Sequence, residues 1–539
     1  MLMDIDKICE KYKLIFEVPK PEFGDISIAC FGKPSSEIDK IKQEIIGLGF
    51  VKKIELIGGY LNIWLKDNKK FSFIYETLKN FEKRKKEKFL VEHTSINPNA
   101  SPHIGRARNA IIGDSVARLL SFFYNVERHY YVNDIGKQVA MLALVCKGNE
   151  NFDKILRLYQ ASAERIEHDK EFEKKVLQLL EKIENNDIES LKKVKKIVEK
   201  AVKGQKAILK KININFDYFD YESDFLEEAK RLVNEMQKKG LALKDEEGKI
   251  VFDLRGSGLE QGMKTPFVAL TRPDGTTLYL TRDIAYTIWR LKRAPNNIIV
   301  LGEDQKLYFQ QLTFILKKLG YNAPKVLHYS MVLLLTPAGP AKMSTRAGNL
   351  VLLEDFLEEV YKKLKEEAEK RKSKLSEAEL KQLASNVVRY TIAKIDYEKN
   401  VIFDLQQALR LEGDTAIYLN YSLARAKSIV RKLKIKEKIS KKEIKSLRID
   451  SLNNYESLLL HQLFNFGFTL NKAIKNFDIS LIARYLYQTC KIFNDFYEQC
   501  SIIKAEKNER KKRVVILLLG IKVIEKCFEI LGLNKLEKI

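Results

Sequence analysis

Two short segments combine residue types suited to a phosphate-bearing substrate. Ser101-Pro102-His103-Ile104-Gly105-Arg106-Ala107-Arg108-Asn109 sets His103 and Arg106 around a glycine. At the start of a helix, free N–H groups and the positive dipole end favour phosphate. His103 and Arg106 then add donors where negative charge gathers on a transferring phosphoryl group. Gly105 removes a side chain where a flat base or ribose must approach the backbone. The second segment is Lys342-Met343-Ser344-Thr345-Arg346-Ala347-Gly348-Asn349. A loop carrying Lys342 and Arg346 can fold over a nucleotide and neutralise its phosphates. Taken singly, the first reads better as a structural turn, and the second also fits an ordinary solvated loop.

The elements around these segments set their context. Phe89-Leu90-Val91 is an apolar run, followed by a Pro/Asn/Ser loop and the helical pattern Ala107–Phe123. Strand, loop, helix opens a nucleotide-binding α/β unit. Further strand-like stretches are Lys249–Leu254, Thr277–Thr281, Ile298–Leu301 and Met331–Leu335. Residues from about 139 to 215 are helical and highly charged, as in an insertion. Asp355, with Glu358 three residues on, is placed to cap the helix after the second segment. Residues 1–86 read as a small α+β domain, with strands in Gly24–Ala29 and Ile54–Leu65 around a helix at Ser36–Gly47. The charge run Glu82–Lys86 reads as a linker or a solvated helix end. Residues 87–375 form the α/β part. All 11 prolines lie at or before Pro340, so residues 376–539 read as all-helical, with Ile417–Leu433 and Ser480–Tyr497 showing i, i+3, i+4 apolar spacing.

Composition narrows the class. The 539 residues are 45% hydrophobic and 31% charged, which excludes a disordered chain. A net charge of +24 suits a polyanion partner or a Lys-rich background equally well. The six cysteines form no Cys-x-x-Cys pair and no cluster with the six histidines, so neither a structural metal nor a disulfide scaffold is expected. No uncharged run reaches ~18 residues and no signal-peptide core opens the chain, so a cytoplasmic protein is expected.

Together the two segments are far more specific than apart. A His-x-Gly turn after the first strand, and a Lys-Met-Ser loop ahead of a helical C-terminal domain, resemble a class I aminoacyl-tRNA synthetase. The neighbours narrow the resemblance to arginyl-tRNA synthetase. They are Glu92-His93-Thr94-Ser95-Ile96-Asn97-Pro98, Ile111-Ile112-Gly113-Asp114, Val132-Asn133-Asp134-Ile135-Gly136-Lys137-Gln138, Asp274–Asp283 and Leu411–Tyr418. The likeness runs from Phe23-Gly24-Asp25 to Phe493–Tyr497, nearly the whole chain.

The resemblance implies a Rossmann-type parallel-sheet catalytic domain with a helical insertion, a small α+β N-terminal domain that touches tRNA, and an all-α anticodon-binding domain. It implies ATP with Mg2+, L-arginine and tRNA(Arg) as ligands, no membrane, and a monomer. Glu92 and Asn97 match family residues that contact the amino acid, and Tyr279 and Asp283 complete that pocket. Carboxylates suit this task, because guanidinium and α-ammonium are both cationic donors. His103, Gly105, Arg106, Lys342, Met343, Ser344 and Arg346 match the catalytic motifs. Ser95, Asp304 and Gln305 join His103, Gly105 and Lys342 around the adenylate. Tyr418, Tyr421 and Arg425 fall in the RNA-reading domain, where bases can stack on rings.

The chain departs from the family pattern where Arg106 replaces a second histidine and Thr345 a second lysine. No lysine stands in Asn97–Ser101. These departures leave open a paralogue that binds tRNA without charging it. The Asn-Asp-x-Gly-x-Gln segment at Asn133–Gln138 favours arginine over another amino acid.

Overall fold

The computed structural model describes residues 2–81, 85–263, 265–336, 339–342 and 351–538. They form two compact units. One comprises Met1–Lys83, Lys372–Glu379 and Arg410–Ile539, and the other Arg84–Arg371 with Leu380–Leu409.

The second unit is built on five strands. These are β1 (Lys88–Glu92), β2 (Asn125–Val132), β3 (Tyr218–Tyr221), β4 (Asn296–Gly302) and β5 (Lys325–Tyr329). Every pairing is parallel and the order across the sheet is β5-β4-β1-β2-β3. Apolar strands such as Ile298-Ile299-Val300 suit a sheet covered on both faces. The order reverses direction between β1 and β4, which opens a crevice beyond their carboxyl ends.

Helix α1 (Ile104–Ser121) connects β1 to β2. It packs so closely that a Cβ at Gly113 would fall 2.3 Å from the His93 side chain, so only glycine fits there. Arg108, fully buried on α1, donates to the carbonyls of Ser330, Met331, Asp396, Tyr397 and Lys399 at 2.5–3.1 Å. Between β2 and β3 lie α2 (Lys137–Val145), α3 (Phe152–His168), α4 (Lys170–Glu184) and α5 (Ile188–Lys211). This is the charged insertion, whose inner faces carry Val176, Ile183, Val194, Val198 and Ala201.

The structure corrects three expectations. Thr277–Thr281 is not a strand: Thr277 makes one bridge to Thr271, and helix α6 (Tyr279–Arg293) begins two residues on. The alternation of β-branched and apolar residues imitates a strand, but Leu280, Ile284 and Ile288 recur every four residues and join a core with Ile299, Phe309 and Leu312. Asp355 does not cap its helix, α7 (Leu353–Lys370), whose N-cap is Leu352. Leu352 is held extended by a bridge to His103, leaving Asp355 in the first turn, where its charge suits the helix dipole. Residues 376–539 are not all helical: Val401–Phe403 is a strand paired in parallel with Val332–Thr336. Arg389 is fully buried against Asp114 at 2.7 Å, so Leu380–Leu409 packs with the parallel-sheet unit.

In the first unit an antiparallel sheet runs in the order Phe16–Glu17, Ile26–Ala29, Tyr60–Leu65, Val51–Ile57. Helices Leu2–Lys11, Ser35–Gly47 and Asp67–Asn80 accompany this sheet, and Ala416–Leu433, Asn454–Phe464, Phe466–Asn476, Ser480–Gln499 and Lys507–Leu531 are the main helices of the C-terminal part, with Phe493, Phe496 and Phe528 in their core. Asp25 ties the two parts: it accepts from the Leu65 amide at 2.8 Å and lies 3.3 Å from both Lys70 and His461. The run Glu82–Arg84 lies outside the described residues. Among the described residues no helix is long and apolar enough to cross a membrane.

Candidate active site

A cleft of about 590 Å³ lies at the carboxyl ends of β1 and β4. It falls within the ~300–1,000 Å³ typical of small-molecule sites. Its lining includes Glu92, Ser95, Asn97, His103, Gly105, Arg106, Tyr279, Asp283, Asp304 and Gln305. Residues from four separate stretches of sequence thus share one cavity.

Glu92 ends β1 and is buried. It forms an ion pair with Arg290 of α6, and its second oxygen lies 3.5 Å from Ser95 Oγ. Burial raises the Glu92 pKa, and the Arg290 charge opposes that rise. Arg290 also donates to Thr287 Oγ1 at 3.1 Å and stacks 4.5 Å from the Tyr286 ring. After Glu92 the chain turns through Thr94 and Ser95, whose φ angles of 84° and 42° are costly for residues with a Cβ. Asn109 of α1 locks this turn: Thr94 N–H donates to its Oδ1 at 2.6 Å, and its Nδ2 donates to the Val300 carbonyl of β4 at 2.8 Å.

His103 is the N-cap residue of α1, with Gly105 and Arg106 in the first turn. Burial, aided by the Arg106 charge, depresses the His103 pKa to about 4, so the ring is neutral near pH 7. Its buried Nδ1 has no hydrogen-bond partner among the described residues. Arg106 is exposed to the cleft. Lys342 ends a short strand, Gly339–Lys342, paired with Val332–Thr336, and its side chain is not described. Met343, Ser344 and Arg346 of the second motif lie outside the described residues. The chain resumes beside the first motif: Ile104 N–H donates to the Val351 carbonyl at 3.2 Å, and Leu353 N–H to that of Pro102 at 2.9 Å.

Helix α6 supplies the facing wall. Tyr279, its first residue, is 61% exposed, so the ring is free to contact a ligand. Asp283, one turn on, accepts a hydrogen bond from Tyr308, and burial raises its pKa. Between them Arg282 turns inward to Glu222 at 2.5 Å, a buried pair in which desolvation pushes the Glu222 carboxyl up to about 7. Asp304 and Gln305 sit exposed in a short turn after β4, 3.4 Å from each other. Asn97 receives the Asn133 amide at 3.2 Å and donates to Gln138 at 3.3 Å. Among the described residues no group of three metal-ligating side chains comes together.

The three residues singled out in the helical domain share one helix, but not one environment. Tyr418 Oη accepts from Asn494 at 2.9 Å, Tyr421 is exposed, and Arg425 stacks 4.1 Å from the Tyr497 ring while pairing with Glu498 at 3.1 Å.

Sequence reasoning passed over Asn109, Glu222, Tyr308 and Arg290. Asn109 stood inside a quoted segment, but nothing local marks the carbonyl it holds 191 residues away. Arg290 lies two turns beyond Asp283 on the same face of α6, a spacing that offers a signal once that segment is read as helix.

The family model described as "tRNA synthetases class I (R), catalytic domain" matches residues 72–406, and "DALR anticodon binding domain" matches 419–539. The chain belongs to the class I arginyl-tRNA synthetases. This synthetase is 33% identical to the arginine–tRNA ligase of Methanocaldococcus jannaschii, over 98% of this chain and 96% of that one. It is 32% identical to the ligase of Archaeoglobus fulgidus, over 94% and 92%. Among solved structures, Thermus thermophilus arginyl-tRNA synthetase shares the fold with a TM-score of 0.81 at 23% identity, over 100% of this chain and 99% of that one.

Proposed function

We propose that the chain is an arginine–tRNA ligase in which Glu92 and Asp283 read the two cationic groups of the substrate. In the first step the carboxylate of arginine attacks the α-phosphorus of ATP. The bond to pyrophosphate breaks and arginyl-adenylate forms. In the second step a hydroxyl of the tRNA 3′-terminal ribose attacks the arginyl carbonyl, and AMP leaves. The observation that carries the reading is one cleft lined by buried Glu92 on β1 and half-buried Asp283 on α6, with buried Glu222 beside them already paired to Arg282. A substrate cation adds to the Arg290 charge at Glu92 and offsets the burial that raises both carboxyl pKa values.

Asn97 and Tyr279 complete the arginine pocket. His103, neutral and with its Nδ1 unpartnered among the described residues, and the backbone N–H groups of the first turn of α1, receive ATP. Arg106, Lys342 and Arg346 share the neutralisation of its phosphates, while Gly105, Ser95, Asp304 and Gln305 border the adenylate. Met343 and Ser344 belong to the same motif as Lys342 and Arg346. Mg2+ arrives on ATP. The exposed carboxylates Asp304 and Glu303 on the rim suit such an ion, which needs one or two protein oxygens besides phosphate. Tyr418, Tyr421 and Arg425 contribute to the anticodon surface, and the ligase works as a cytoplasmic monomer.

The test is charging of total tRNA with each of the amino acids in turn. Arginine alone is attached if the reading holds. Charging with another amino acid, or with none, overturns it.

A further inference from the structure

Gln205 is the one polar residue on the buried face of α5, which otherwise presents Val194, Ile197, Val198, Ala201, Val202, Ile208 and Leu209. It is fully buried. A buried amide in an apolar stripe costs stability unless its hydrogen bonds are made, and here three of them are. Its Nε2 donates to the Asn97 carbonyl at 2.9 Å and to the Ala100 carbonyl at 2.8 Å. Its Oε1 accepts from Tyr130 Oη at 2.8 Å. The same hydroxyl lies 3.0 Å from both the Ile96 carbonyl and the Ile96 amide, which donates to it. The loop from Ile96 to Ala100 is thus gripped at three residues by one glutamine and one tyrosine.

The grip comes from the insertion. Gly204 lets α5 approach Phe152, the first residue of α3, so closely that a Cβ would meet the ring at 2.2 Å. That contact fixes the rotation of α5 beside Gln205. Gln138, on the first turn of α2, holds the Asn97 side chain as well. The next stretch of chain is secured independently: Ile104 N–H donates to the Val351 carbonyl and Leu353 N–H to that of Pro102, on either side of the His103–Leu352 bridge. The arginine-side loop and the ATP-side turn therefore have separate anchors.

We infer that Gln205 is a positioning residue for arginine selection, through which the helical insertion holds Asn97 in the pocket. The inference rests on the proposed role of Asn97. It requires an amide: only a group with two donors and an acceptor satisfies two carbonyls and a hydroxyl at once. A glutamate of the same shape turns acceptor atoms on the Asn97 and Ala100 carbonyls.

The test measures KM for arginine and for ATP in aminoacylation by the full chain. Gln205→Glu is expected to raise the arginine KM by about tenfold or more, the loss of two buried hydrogen bonds, with the ATP KM within about twofold. Tyr130→Phe, which keeps the ring against Phe216 and Phe219, is milder and shifts the arginine KM in the same direction. Val198→Ala loosens the same helix face without touching the loop, and leaves the arginine KM unchanged. An unchanged arginine KM in folded Gln205→Glu or Tyr130→Phe overturns the inference. So does an equal rise in Val198→Ala, or a rise in both substrates' KM together. Asn97→Ala separates the two levels. If it leaves the arginine KM unchanged, the pocket reading fails, and this inference with it. If it raises that KM while Gln205→Glu does not, only the inference fails.

Discussion

Replacing Arg290 by methionine tests how the cleft keeps a carboxylate charged before substrate arrives. Methionine keeps the unbranched apolar stem up to the Nε position, with a polarizable sulfur near the Tyr286 ring, and ends short of the guanidinium that now covers that ring at 4.5 Å. What it removes is the cation paired with buried Glu92. Breaking a buried pair from one side costs about 3–5 kcal/mol. The carboxyl relieves part of that by taking up a proton, so its pKa rises beyond the value that burial already raises. A folded-state pKa above the unfolded one means the folded chain binds the proton more tightly. Stability is then lost as pH rises through the interval between the two. On the proposed role of Glu92, arginine binding has the opposite sign, because it needs the carboxylate. At neutral pH the loss of a charged hydrogen bond, about 1.5–3 kcal/mol, predicts a rise of about 10- to 150-fold in arginine KM. Thermal melts and arginine-dependent charging across about pH 6–9 should show the melting deficit growing and the KM deficit shrinking as pH rises. An arginine KM within about threefold of the parent at every pH, or two deficits with no pH dependence, would refute the reasoning.

Other outcomes follow from single contacts. Arg106→Ala lowers the rate of ATP–pyrophosphate exchange with tRNA present by about tenfold or more, the value of one charge-assisted bond; an unchanged rate removes Arg106 from the phosphate site. Asn109→Ala frees Thr94 and Ser95 from backbone strain worth about 1–3 kcal/mol each, so the turn relaxes and kcat/KM for arginine falls at least about tenfold. Parent-like kcat/KM would show that the turn holds without its lock. Asp114→Asn breaks the pair with Arg389 at 2.7 Å and lowers stability by about 3–5 kcal/mol, with substrate KM values unchanged. Burial opposes its charge, yet Arg389 and Arg118 hold the Asp114 pKa below its ordinary value. Its contribution is therefore present at neutral pH and lost as pH falls through that lowered pKa. A chemical denaturation series at neutral and acid pH reads both effects.

The elements that sequence revealed are those whose signal is local. β1, α1 and the insertion helices follow from apolar runs and 3.6-residue spacing within one window. Glu92, Asn97, His103 and Asp283 sit in short segments of recognisable order. The groups that set their chemistry do not. Arg290 reaches Glu92 across 198 residues, and Gln205 reaches the Asn97 carbonyl across 108. Those separations close only when the sheet order brings β1 between β2 and β4. Thr277–Thr281 misled for a related reason. Its alternation fits a strand locally, but the helical stripe that decides it lies further along α6. The +24 charge says least about the site, since among the described residues the cleft is marked by buried carboxylates rather than by a basic wall.

The central claim is that this cleft selects a guanidinium by charge. Citrulline has the shape of arginine with a neutral urea in place of the guanidinium. The decisive measurement is tRNA charging with arginine against citrulline at equal concentration. Loss of an ion-paired group against buried carboxylates predicts discrimination of about 100-fold or more. Comparable charging of the two would contradict the account.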